Sequence, residues 1–399
     1  MILYHKTLFG TTEHLPRSVA RAAAARQRLA GWLGEHPEVA AVVLTGPAAV
    51  TWATGAVAPP VDRTAAVDLV WVVATRSSAA LVTTEVEADR VAEEYQPRQH
   101  GFADLATVPW YEPDGFTRAA QDIAGAPAAQ LAADGHPGFG QDAADDLRAL
   151  RLALSPAEQE DLRALGADAA DALQQALASW RPGERDLDVQ ARVAAVLESR
   201  GADTPVLIVG GDDRVRRFRH PMAAGVPVRR LVMAVVVARR GGLHAAATRF
   251  ASAGPVDTEF AALRARVLRI ERDTLAASGP PHRYGAVLTV LASSYAREGA
   301  PGGWAGHYQG GPIGYAQREF EIAPVQHDSR WYATPVAYGH AVAWNPSLPG
   351  GAKAEDTYLV SETGLRRVTT AADGPGPGWP AEDEDDDVIP PRPAVLEVA

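Results

Sequence analysis

Cysteine is absent from the 399 residues. Disulfides, thiolate metal sites and a cysteine nucleophile are therefore excluded. Long apolar runs are missing too. No stretch approaches the roughly 18 uninterrupted apolar residues of a membrane-spanning helix, so no membrane partner is expected. The opening segment, MILYHKTLFGTTEHLPRSVAR, lacks a basic patch followed by an apolar stretch. It does not read as a signal peptide, and a cytoplasmic location is the expectation. Positive charge is scarce: Lys and Arg number 38 against 49 acids, for a formal net charge of −11. A general nucleic-acid surface is disfavoured, and no nucleic-acid partner is expected. Two glycine-rich stretches, VLIVGGDDR and YQGGPIG, lack the full pattern of a phosphate-binding loop. No G-x-S-x-G supports a Ser-His-Asp hydrolase.

Apolar residues are plentiful at 47%, enough to fill the cores of two ordinary domains. In the first part, helical spacing runs through 18–33. EVAAVVLTGPAAVTWATG (38–55) reads as strand, turn and second strand. AAVDLVWVVATRSSAALVTTEVEADRVAEEY (65–95) reads as two strands and a helix starting near Glu85. Small polar residues and two prolines at 124–146 read as a surface connection.

SPAEQEDLRALGADAADALQQALASW (155–180) is a helix opened by a capping box of Ser155 and Glu158. Its apolar stripe is Leu162, Leu165, Ala169, Leu173 and Leu177. A second helix, 188–201, ends at a glycine. Strands at 204–210 and 231–250, helices at 257–277 and 283–298, and glycine-rich turns and strands over 301–365 complete the body. The stretch 371–399 holds eight acids and one Arg among Pro and Gly. It reads as a mobile tail.

Five segments in this order resemble the creatinase, prolidase and aminopeptidase P family, over about residues 20–370. They are VLTGPAAVTWATG; LRALRLALSPAEQEDLR with the helices after it; RHPMAAGVPVRRLVM; HYQGGPIGYAQRE; and AVAWNPSLPGGAKAEDTYLVSETG. The fourth stands where the family has H-x-x-G-H-G-I-G-x-x-x-H-E. The fifth stands where it has an E-P turn and then R-x-E-D-x-x-L-V-T-E-x-G. The resemblance implies an α+β protein, with a creatinase-type α/β N-terminal domain over 1–145 and a pita-bread domain over 146–370. It also implies a homodimer.

Family members hold two divalent ions with Asp, Asp, His, Glu and Glu. Those positions fall here at Val235, Ala246, Gly311, Asn345 and Glu355, and no acid occurs anywhere in 231–250. One carboxylate beside an amide cannot hold a dinuclear centre, so no metal and no other cofactor is expected. Creatinase shares the fold and works without a metal, using a histidine as acid and base. His220 aligns with that histidine and Glu355 with an inward-facing carboxylate; these two are the candidate catalytic residues.

Candidate substrate contacts are Arg63, eight residues after the Gly of WATG; His307; Arg318 and Glu319, where the family has His-Glu; and Asn345. Arg318 either meets an anion or pairs with Glu355 or Glu319. Nine arginines between 214 and 249 favour an anionic ligand wherever they face the cavity. Alternation along RVRRFRH lets only some of them do so, and Arg249 reads as structural.

The expected function is metal-independent hydrolysis or related acid/base chemistry on a small anionic, amino-acid-like or guanidino compound. The alternatives are a non-catalytic binding or scaffold protein, and an Xaa-Pro peptidase.

Overall fold

AVVL at 41–44 forms the buried strand expected of an uninterrupted apolar run. The computed structural model describes residues 14–56, 60–324, 327–371, 381–382 and 392–398. It divides into two compact units, Met1–Glu158 and Gln159–Ala399. The expected boundary after 145 falls inside the first unit, because the helix Ala144–Leu152 packs on that unit's helices His14–Glu35 and Pro47–Thr54.

The N-terminal unit runs α1 (His14–Glu35), β1 (Ala41–Leu44), α2 (Pro47–Thr54), β2 (Val70–Thr75), β3 (Ala79–Thr84), α3 (Ala88–Tyr95), β4 (Asp104–Val108), α4 (Gly115–Ala124), β5 (Leu131–Ala133), β6 (Gln141–Asp142) and α5 (Ala144–Leu152). Its six strands are ordered β4-β3-β2-β1-β5-β6. Val43, Val73, Trp71, Val82 and Leu131 form the core beneath Phe116, Ala119 and Ile123 of α4.

Two expectations fail in this unit. PAAVTWAT is a helix, not a second strand. Pro47 opens it, and Gly55 closes it at φ 75°, where a Cβ would stand 2.0 Å from the Ser18 carbonyl oxygen. Valine, threonine and tryptophan gave the segment a strand's composition, but its caps are those of a helix. The supposed surface connection contributes β5, a buried strand parallel to β1. Three small residues are too few to show a period, and β5 is created by its pairing.

The C-terminal unit takes in most of α6 (Pro156–Ala178), whose box forms as expected: the Ser155 N–H donates to Glu158 Oε2 at 2.6 Å. There follow α7 (Asp186–Ser199), β7 (Asp203–Gly211), α8 (Asp212–Arg217), β8 (Leu231–Arg240), β9 (Leu243–Ala253), α9 (Thr258–Ala276), α10 (Tyr284–Arg297), β10 (Gly310–Ile313), α11 (Arg330–Ala333), β11 (Ala341–Trp344), β12 (Asp356–Ser361) and β13 (Gly364–Arg367). Last come β14 (Ala381–Glu382), β15 (Arg392–Pro393) and β16 (Leu396–Val398). The hairpin expected at 231–250 is β8 and β9. The arginine-rich stretch after Gly211 begins as helix α8 rather than alternating. The Asp212 carboxylate accepts N–H bonds from Arg229, Arg230 and Leu231 at 2.8, 2.8 and 3.0 Å, which folds the chain back on itself.

Two four-stranded sheets result, β16-β9-β8-β7 and β10-β11-β12-β13. The tail is therefore not wholly outside the body. Leu396–Val398 pair in parallel with Ala251–Ala253, and Leu396 and Val398 are buried. Apolar Leu396 and Val398 cover an edge of β9 that the acidic composition of the tail concealed.

Side chains and backbone of β9 and β12 join the two sheets. The Thr248 N–H donates to the Glu355 carbonyl at 2.9 Å, and Thr357 Oγ1 donates to the Ala246 carbonyl at 3.0 Å. Beneath them lies a buried ion pair, Arg249 Nη2 to Asp356 Oδ1 at 2.7 Å, with both side chains at most 5% exposed. The same Nη2 donates to the Thr369 carbonyl at 3.0 Å, and Thr369 Oγ1 donates to Asp356 Oδ1. Removing one partner of such a pair strands the other charge in the core. Arg249→Met is thus expected to lower unfolding stability by about 3–5 kcal/mol in urea titration; a loss below about 1 kcal/mol would show that the pair does not hold the sheets.

Candidate functional site

The end of β11, the turn Ser347–Lys353 and the residue preceding β12 bring three polar side chains to one buried place. Glu355 is 6% exposed, Lys353 4% and Asn345 8%. Glu355 Oε2 accepts from Thr248 Oγ1 at 2.8 Å and lies 3.4 Å from Lys353 Nζ. Glu355 Oε1 accepts from Asn345 Nδ2 at 3.3 Å. The turn is held from α10: the Tyr295 hydroxyl accepts from the Ser347 N–H at 2.9 Å and sits 3.0 Å from Gln309 Oε1.

Two histidines complete the place. The rings of His220 and His307 are 5.2 Å apart at 42°. His220 follows α8, and His307 follows a short 3₁₀ turn, Gly303–Gly306. Burial and then the Lys353 charge push the His220 imidazole below its ordinary range, with Glu355 acting in the opposite sense. Burial, Lys353 and His220 push His307 down to about 3. His307 is therefore neutral at pH 7. Among the described residues neither ring nitrogen has a hydrogen-bond partner of good geometry, and Asn345 Oδ1 has none. Buried polar atoms are normally satisfied, so three orphans beside one ion pair mark a place for a ligand or ordered water.

The expected site residues do not all come together. His220, His307, Asn345 and Glu355 do. Arg318 donates to the Gly310 carbonyl at 3.1 Å and pairs with Glu321 at 3.0 Å, rather than with Glu355 or Glu319. Buried Glu319 accepts from the Ala316 N–H at 3.1 Å and closes its own turn. Arg63 lies on an exposed segment of the N-terminal unit. Of the other arginines, Arg216 pairs with Asp257, Arg239 with Asp203, and Arg240 with Asp168.

Two residues escaped the sequence reading. Lys353 stands where the family pattern R-x-E-D has its arginine, a signal visible in KAED. Arg219, beside His220, was hidden among its eight arginine companions; its Nη1 donates to Ser347 Oγ at 3.1 Å.

The positions that hold metal in the resembled family can be checked in space. The β8–β9 register, Val235 opposite Thr248 and Val237 opposite Ala246, puts Val235, Ala246 and Thr248 on one face. Val235 and Ala246 are buried apolar side chains, and Gly311 offers none. What remains is one amide and one carboxylate already paired with an ammonium. Among the described residues no group of three or more His, Asp or Glu could hold a metal ion. These donors do not fit a dinuclear centre.

No family model matches this sequence, and no curated protein matches it. Solved structures do. The prolidase from Pyrococcus furiosus superposes with TM-score 0.66 at 18% identity, covering 86% of this chain and 99% of that one. Dipeptidase PepE from Mycobacterium ulcerans gives 0.67 at 20%, covering 89% and 96%. The N-terminal domain of the FACT complex subunit SPT16 from chickpea gives 0.64 at 12%, covering 89% and 96%. The fold is the pita-bread fold of the prolidases, Xaa-Pro dipeptidases and aminopeptidases P, preceded by their α/β domain.

The depressed imidazoles carry a consequence for stability. His307 stays neutral in the folded protein but titrates near 6.5 when unfolded. Its contribution is complete above pH 6.5 and is lost as pH falls towards 3. His244 and His340, each pushed down to about 4 by burial, act in the same direction. The melting temperature is expected to drop between pH 7 and pH 4, and to drop less in His307→Gln. Identical slopes for variant and wild type would mean that His307 is solvated.

Proposed function

We propose that the C-terminal unit binds a small anionic, amino-acid-like or guanidino compound and acts on it by proton transfer, in hydrolysis or a related reaction, without metal or other cofactor. The observation that carries this reading is the buried Lys353–Glu355–Asn345 cluster beside the facing rings of His220 and His307. His220, which reaches the surface, is the acid and base: neutral imidazole can take a proton and return it. His307, with its pKa near 3, cannot supply a proton at neutral pH and serves to orient. Glu355 is held at both oxygens and acts as a fixed charge. The Lys353 ammonium stabilises negative charge that develops on the ligand, without reorganising to do so. Asn345 Oδ1 offers an acceptor to an amino or guanidino N–H. The reading includes a cytoplasmic homodimer, in which Arg63 reaches the other subunit's site.

One observation favours a second reading, binding without turnover. Both oxygens of Glu355 are already occupied within the protein, by Thr248, Lys353 and Asn345. The third reading is an Xaa-Pro peptidase, the activity named for several structures of this fold; at four of its five expected metal positions stand Val235, Ala246, Gly311 and Asn345.

Elemental analysis of purified protein is expected to find no stoichiometric divalent ion; about two Mn, Co or Zn per chain would restore the peptidase reading. His220→Asn is expected to lower turnover of a converted ligand by about 10²–10⁴ with little change in its binding. Wild-type turnover should fall as pH drops through the His220 pKa, which lies below 6.5, and stay level above it. A ligand bound by wild type and never converted would establish the binding role. A fully active His220→Asn variant would move the proton transfer to another residue.

A further inference from the structure

Between the end of α8 and the turn Ser347–Lys353 lies a cleft within the C-terminal unit. Four cations line it, Arg216, Arg217, Arg219 and Lys353, and among the described residues no carboxylate does. The four are not equivalent. Arg216 is paired with Asp257, and Lys353 is balanced by Glu355. Arg217 is exposed over the ring of Phe218. Arg219 is half-buried and, among the described residues, has no carboxylate partner; its contact is the Ser347 hydroxyl at 3.1 Å.

A guanidinium taken partly out of water and left without a counter-ion is costly unless a ligand supplies the charge. Its planar fork matches a carboxylate. Ser347 Oγ accepts from Arg219, which leaves its own proton to donate. Gly351, at φ 102°, closes the floor; a Cβ there would stand 2.7 Å from Val215. Arg217 stays in solvent over Phe218, so half-buried Arg219 is the cation that a single carboxylate would balance.

We propose that Arg219, Ser347 and Lys353 form a carboxylate subsite beside His220 and His307, and that it selects small amino-acid-like monocarboxylates. Arg219 and Ser347 hold the carboxylate, and Lys353 sets the positive potential of the inner wall. The subsite rests on the reading of this cavity as the ligand site, but not on turnover.

Matched pairs of compounds test it: glycine against glycinamide, and N-acetylglycine against N-acetylglycinamide, by calorimetric titration of the full chain. The carboxylate of at least one pair is expected to bind about tenfold tighter than its amide or better. Arg219→Gln should abolish that preference at an unchanged melting temperature, and Arg219→Lys should restore part of it. If Arg219→Gln does not fold, dicarbonyl labelling of wild type replaces it. Arg219 should then be protected by N-acetylglycine and not by the amide. Equal binding of acid and amide, no binding of any carboxylate, an unchanged preference in folded Arg219→Gln, or equal protection by acid and amide would each overturn the subsite. A carboxylate that binds with this preference but is never converted would overturn only the proton-transfer reading.

Discussion

The Arg249–Asp356 ion pair is the constraint on which the C-terminal unit rests. It sits where β9 meets β12, beneath the surface that carries the site. Arg249 follows Thr248, and Asp356 follows Glu355. One buried bond thereby fixes the register of two strands whose preceding residues point the other way, with Thr248 Oγ1 donating to Glu355 Oε2 at 2.8 Å. Alternation does the rest: Thr248 and Glu355, each the chain neighbour of a residue of the pair, meet on the other side. The Thr369 carbonyl and hydroxyl and the Thr248 carbonyl add hydrogen bonds to the pair, which makes a charge acceptable at that depth.

The chemistry above this base is governed by one ammonium. Lys353 pairs with Glu355, and after burial its charge is the next cause that pushes the His220 and His307 imidazoles down. The cavity is positive overall, because Arg219 adds a charge that no described acid balances. The fold is that of the prolidases and aminopeptidases P, and the residues at the resembled metal positions are Val235, Ala246, Gly311, Asn345 and Glu355. The same fold occurs in structures described as dipeptidases and in a subunit of the FACT complex, so the fold cannot decide the chemistry.

The legible parts of the chain were those with a period or a cap. The capping box at Ser155–Glu158, the β8–β9 hairpin and the helices at 258–276 and 284–297 lie where the pattern places them. The illegible parts were those whose state depends on a neighbour distant in sequence. PAAVTWAT carries strand-forming residues but is buried as a helix. Leu131–Ala133 becomes a strand because β1 lies beside it. Leu396–Val398 join β9 across more than a hundred intervening residues. In the site, His220, His307, Asn345 and Glu355 could be named from motif positions alone. Lys353 was signalled by KAED, but Arg219 could not be ranked above the other arginines without knowing what lay next to it.

By itself, then, the sequence determined the fold class and which residues stand where the resembled family holds metal. Both are written in residue identity and spacing: an apolar period survives any tertiary arrangement, and a valine cannot become an aspartate. Only the tertiary structure decided which charges are spent and which are available. Arg318, Arg239 and Arg240 are equal to Arg219 in a sequence. In space the first three meet Glu321, Asp203 and Asp168, while Arg219 faces the cleft with a hydroxyl as its described partner. Charge pairing depends on distances of a few ångströms between residues far apart in the chain, and nothing local encodes them.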